Sequence, residues 1–218
     1  MSQLLKPSLI TAYDIERRKT HFFTQHDAAV DSQSDFLVRE VIRSTTAAPT
    51  FFEVAQIKSL KNEKYSFVDG GVFANNPALC AYAEARHVFN RYFNLDERYE
   101  TGPTAKEMVI LSLGTGDVKR NYPYHKAKHW GQIEWLIPLF DIIMTSVSET
   151  VDYQMMQIFN AIEKNSQYLR ISPILKNKDI FPIDNTTEAN LQGIIKLGRE
   201  QTEKYQNRLD DFIDLLLM

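Results

Sequence analysis

One cysteine, eight glycines and eight prolines among 218 residues are too few for a fold stapled by disulfides or built mainly of turns. The single Cys80 rules out an internal disulfide. It sits in the apolar run Ala78-Leu79-Cys80-Ala81-Tyr82-Ala83, which reads as a small buried thiol. No apolar run approaches the ~20 residues of a membrane-spanning helix. Lys6 and Pro7 interrupt the first apolar residues before a secretory leader could form. Charge of one sign is also scarce: 25 Lys and Arg face 28 Asp and Glu, a net charge of -3. With a pI near 6.0 and no block of five like charges, general attraction to nucleic acid is excluded. The expected compartment is reducing and cytoplasmic.

What remains is ordinary globular material, 44% hydrophobic and 24% charged, enough for a single domain over residues 1–218. Neither an internal repeat nor a low-complexity segment interrupts it.

The stretch Phe67-Val68-Asp69-Gly70-Gly71-Val72-Phe73-Ala74-Asn75-Asn76-Pro77 organises the chain. It reads as a short apolar strand ending in a carboxylate, then two glycines, then a helix start. Open α/β sheets put their chemistry at the carboxyl ends of strands. Gly70 and Gly71 would let the backbone turn so that Asp69 faces a reacting group. Asp69 is therefore the candidate catalytic base. The same Asp-Gly-Gly also fits a plain hairpin turn.

In chain order, Ser8 to Ile15 and His21 to Thr24 read as a hairpin around the charged turn Glu16-Arg17-Arg18-Lys19. Asp31 to Ser34 offer N-caps for a short helix over Phe36 to Arg43. The small residues Ser44-Thr45-Thr46-Ala47-Ala48 then end that helix against something that approaches closely. Asn76 and Pro77 open a helix running from Ala78 to Phe93. After a loop through Thr101-Gly102-Pro103, Met108 to Leu113 resembles a strand buried on both faces, ended by Gly114-Thr115-Gly116. Helical spacing runs from Trp130 to Ile162, a strand covers Tyr168 to Ile171, and a last helix follows the loop around Pro182. Strands alternating with helices predict an α/β fold, a mostly parallel sheet flanked by helices.

Several blocks carry a family resemblance. Phe67 to Gly71 with Asn75-Asn76-Pro77, preceded by Arg43-Ser44-Thr45-Thr46-Ala47-Ala48-Pro49-Thr50-Phe51-Phe52 and followed by Leu111-Ser112-Leu113-Gly114-Thr115-Gly116, resembles patatin-like phospholipases. Ile10 to Glu16 is similar to the family strand after its nucleophile helix. The resemblance implies a patatin-like fold truncated at the amino-terminal side, and lipid acyl hydrolysis by a Ser-Asp dyad without metal or organic cofactor. In such a site the serine lies on a Gly-x-Ser-x-Gly elbow and the Asp, here Asp69, takes its proton. This sequence contains neither that elbow nor a glycine-rich oxyanion loop. The expectation is a carboxyl-terminal portion, inactive alone, whose partner is a lipid or fatty-acyl ester. A non-catalytic lipid- or protein-binding module is the alternative.

Other candidates have simpler readings. His125 and His129 at i, i+4 lack a Glu-x-x-His and neighbour Lys126 and Lys128, so a solvated loop is preferred to a metal site. Ser44, Thr45 and Thr46 lack the glycines of an elbow. Met144, Met155, Met156 and Phe159 read as core before acyl tunnel. Phe212 to Met218 is expected to pack on its own sheet, with docking on a peripheral membrane surface or a partner as the alternative.

Overall fold

A computed structural model describes residues 1–93, 103–118, 120–175 and 184–217, with the side chains of 89–93 left aside. Thr101, Gly102, Pro182 and Met218, singled out above, lie outside the described residues. The chain divides into two compact units, residues 1–104 with 147–151, and residues 105–146 with 152–218.

The first unit is built on a sheet of β1 (Leu9–Asp14), β2 (Lys19–Thr24), β3 (Ala55–Lys58) and β4 (Lys64–Asp69). Its order is β2-β1-β4-β3 and every pairing is antiparallel. The expected mostly parallel sheet is therefore corrected. The reason lies in the connections. A turn of four residues joins β1 to β2 and one of five joins β3 to β4, and such lengths return a strand only antiparallel.

Asp14 holds the first turn by accepting from the backbone N–H of Glu16 and Arg17 at 3.0 and 2.9 Å, and by pairing with the Arg17 guanidinium at 2.8 Å. Phe23 meets both Phe36 and Phe67 edge-on, and the three buried rings form the core with Ala12, Val41 and Ile57.

Helix α1 (Gln25–Val30) was not foreseen. Thr24 caps it, accepting from the Asp27 N–H. Helix α2 (Val38–Thr45) starts without a side-chain cap, so the expected capping role of Asp31 to Ser34 is not seen. Asp31 instead accepts from the Gln33 N–H, closing a local turn. Beyond β4 come the single turn α3 (Gly71–Ala74) and α4 (Ala78–Phe93). Asn76 Oδ1 accepts from the Ala78 N–H at 3.2 Å, the helix start expected there.

In the second unit, β5 (Ile110–Leu113) and β6 (Tyr168–Ile171) pair in parallel. Between them in sequence lie α5 (Tyr124–Ala127) and α6 (Gln132–Asn160), the long crossover that parallel pairing requires. The strand is not buried on both faces as expected: Leu111 and Leu113 are 40% and 69% exposed. Helix α7 (Glu188–Leu217) packs Phe212, Tyr205 and Leu209 against Leu169 and Ile171. Phe212 thus takes the packed role, while Leu216 and Leu217 stay exposed.

Buried Tyr168 donates its hydroxyl to Asp152 Oδ1 at 2.7 Å, and burial together with that carboxylate pushes its ionisation far up. Tyr168→Phe leaves Asp152 without this donor and should cost about 1–2 kcal/mol, read as a lower urea midpoint at unchanged slope.

Candidate active site

Asp69 closes β4 opposite Ala12 of β1. Its backbone N–H donates to the carbonyl of Ala47 at 3.0 Å, so the small-residue run after α2 meets the strand end here. Ala47 and Ser44 are fully buried, and larger side chains would hold the two segments apart. The close approach expected of Ser44 to Ala48 thus has its partner.

The side chain is half-buried, and Oδ1 accepts the Gly71 N–H at 2.6 Å. Burial pushes the Asp69 carboxyl above its ordinary value, and the Gly71 hydrogen bond opposes that shift. Among the described residues it has no ion-pair partner. Asp14, the most buried carboxylate of this unit, differs: it pairs with Arg17 at 2.8 Å. An ionised carboxylate removed from water without a counter-charge binds protons more readily.

Gly70 is required for space rather than for a left-handed turn. Its φ of -66° and ψ of -19° suit any L-residue. A Cβ there would lie 2.1 Å from Thr11 Oγ1 and 2.3 Å from the Thr11 carbonyl oxygen. The glycine lets β4 leave the sheet flush against β1. Gly71 follows as the first residue of α3 and supplies the N–H held by Asp69. Asn76, 1% exposed, pins the next segment by donating to the Ser148 carbonyl at 3.4 Å.

The comparisons with known proteins bear on the same stretch. Residues 3–82 match the family model of the patatin-like phospholipases. The chain is thus similar to patatin-like proteins. Patatin-like protein 3 of Arabidopsis thaliana is 27% identical over 222 residues, covering 96% of this chain and 51% of that protein. Patatin-like protein 1 of the same plant is 29% identical over 212 residues, covering 92% and 51%. Patatin-T5 of Solanum tuberosum is 27% identical over 233 residues, covering 98% and 59%. The chain therefore spans about half the length of the curated relatives it matches. The matched stretch takes in the whole four-stranded sheet, Asp69 and the start of α4.

Elsewhere the chain uses its other candidates structurally. The hydroxyls of Ser44 and Thr46 donate back to the carbonyls of Glu40 and Ile42, both at 2.8 Å, the usual use of such groups in a helix. Met155 and Phe159 are fully buried and serve as core, while Met156 is exposed. Gly114 donates its N–H to the Ile171 carbonyl and Gly116 takes φ +120°, a strand-end turn as expected. Cys80 is half-buried and burial raises its thiol. His125 and His129 are both exposed. Among the described residues no three His, Cys, Asp or Glu side chains converge as a metal site. No helix among them is long and apolar enough to cross a membrane.

Two contributors escaped the sequence reading, Thr11 beneath Gly70 and the carbonyl of Ala47 above Asp69. Both act through backbone or close packing, and only the small residues around them signalled it.

Proposed function

We propose that residues 1–218 are the carboxyl-terminal portion of one patatin-like domain and carry its general base, Asp69. The reaction is hydrolysis of fatty-acyl esters of lipids. The observation that supports it is a desolvated carboxylate at a strand end with one backbone hydrogen bond and no counter-charge among the described residues.

The serine comes from an elbow-bearing segment outside this sequence. Its oxygen attacks the ester carbonyl carbon, and its proton passes to Asp69. As the tetrahedral intermediate collapses, the alcohol leaves with that proton and the acyl group stays on serine. Water then attacks the acyl-serine, gives a proton to Asp69, and the fatty acid departs as the proton returns to serine. Gly71 steadies Oδ1 through its N–H and leaves Oδ2 to accept. The working place of such an enzyme is the cytoplasm, at lipid surfaces.

The 218-residue chain alone should hydrolyse a p-nitrophenyl ester no faster than buffer, because a base without a nucleophile supplies no covalent step. Turnover by the purified chain that disappears in Asp69→Asn would overturn the two-part site. Binding of lipid with no turnover, even when an elbow-bearing segment is joined to it, would favour the non-catalytic module.

A further inference from the structure

The first three turns of α6 present an apolar face to solvent. Ile133, Leu136 and Ile137 are 80%, 65% and 70% exposed, and Leu139, Phe140 and Ile143 are exposed beside them. The buried side of the helix runs through Pro138, Ser148, Met155 and Phe159, at helical spacing. Beyond Met144 most exposed positions are polar, with Ser146, Glu149, Thr150, Gln154 and Gln157, and only Tyr153 and Met156 are large and apolar among them. The apolar surface is thus concentrated at one end of a 29-residue helix. A folded protein seldom leaves so many adjacent large apolar side chains in water without a partner for them.

The surroundings identify that partner. Arg120, Lys126 and Lys128 are exposed in the segment leading into the helix. These three cations outnumber the two acids nearby, Glu134, which accepts from the Gly131 N–H at 3.0 Å, and Asp141, which accepts from the Tyr122 hydroxyl at 2.8 Å. Tyr122, Trp130 and Trp135 form an edge-to-face series with centroids 5.5 and 5.1 Å apart. Lys128 Nζ lies 5.8 Å from the ring centroid of exposed Tyr124. Apolar residues on an exposed helix face, a cationic margin and clustered Tyr and Trp are the chemistry of a segment lying in a lipid interface. A protein partner would not require this ring of cations and indoles.

We propose that α5 and the first three turns of α6 dock on an anionic phospholipid surface, with Leu136 and Ile137 entering the acyl boundary and Lys126 and Lys128 meeting head-group phosphates. The lipid-directed reading of Asp69 guides the choice of partner, but docking needs no ester hydrolysis.

The chain's two tryptophans, Trp130 and Trp135, both lie in this patch, so emission excited at the red edge, where tyrosine does not absorb, reports on it alone. Vesicles of phosphatidylcholine with phosphatidylserine should shift the emission of the 218-residue chain to shorter wavelength and co-sediment with it. Phosphatidylcholine alone should do so less.

Leu136→Asp with Ile137→Asp replaces only exposed groups and should weaken binding at least about tenfold with unchanged circular dichroism. Lys126→Glu with Lys128→Glu should weaken binding to the anionic vesicles by about tenfold or more. Asp69→Asn should bind as the wild type does, which separates this test from that of catalysis. Emission unmoved by anionic vesicles, or binding unchanged in the Leu136 and Ile137 variant, would refute the proposal. So would a wild-type dimer that this variant makes monomeric, since a second copy would then cover the face.

Discussion

Gly70→Ala should lower the unfolding free energy by roughly 3 kcal/mol or more, with a fall in Tm of roughly 6–12 °C. The backbone at Gly70 is ordinary right-handed helix, so the added methyl costs nothing in φ and ψ. The cost comes from overlap: the new Cβ would stand 2.1 Å from Thr11 Oγ1 and 2.3 Å from the Thr11 carbonyl oxygen. The hydroxyl can be removed but the carbonyl cannot. Thr11→Ala combined with Gly70→Ala should therefore recover only part of the loss, as measured by thermal and urea unfolding of both variants. Full recovery would mean that the strands are held apart by the side chain alone.

Asp69→Asn is expected to separate stability from activity. In a polypeptide joining this chain to an elbow-bearing segment, the change should reduce kcat by about a hundredfold or more, because an amide accepts no proton from serine. The isolated chain should be no less stable. Asparagine keeps an oxygen to accept the Gly71 N–H, and a desolvated charge is removed.

The sign of the pH effect follows from the raised carboxyl of Asp69. An acid whose folded value lies above its unfolded one costs stability when ionised, fully so above the folded value. That cost fades as pH falls through it, and is gone below about 3.8, where both states are protonated. The Tm advantage of Asp69→Asn over wild type should accordingly be largest near neutrality and vanish in acid. Activity of the joined enzyme should fall on the acid side with a midpoint above that of an ordinary aspartate, since the base must be ionised to act. A variant with wild-type turnover would remove Asp69 from the chemistry.

Local signals were legible from the residues. The β1–β2 hairpin, the strand ending at Asp69, the cap at Asn76 and the long helix α6 all declare themselves through turn chemistry and apolar period. The sheet's sense of pairing was not legible, because alternation of strands and helices suits both parallel crossovers and hairpins that carry helices outside the sheet. Among the strands of the described residues only β5 and β6, separated by α6, adopt the parallel arrangement expected for most of the sheet. Helix α1 was hidden because Thr24 ends a strand and caps a helix at once.

The candidate site divides in the same way. Which residue would be the base was decided by residue type and order along the chain: an acid, two glycines and a helix start, within blocks similar to those of a known family. Why Gly70 must be glycine, that Asp69 has a backbone partner and no cation among the described residues, and that the Ala47 carbonyl holds its N–H were decided only by the tertiary structure. These depend on distances between segments remote in the chain, such as Thr11 with Gly70 and Ala47 with Asp69, and nothing in the local pattern of a sequence encodes such a distance.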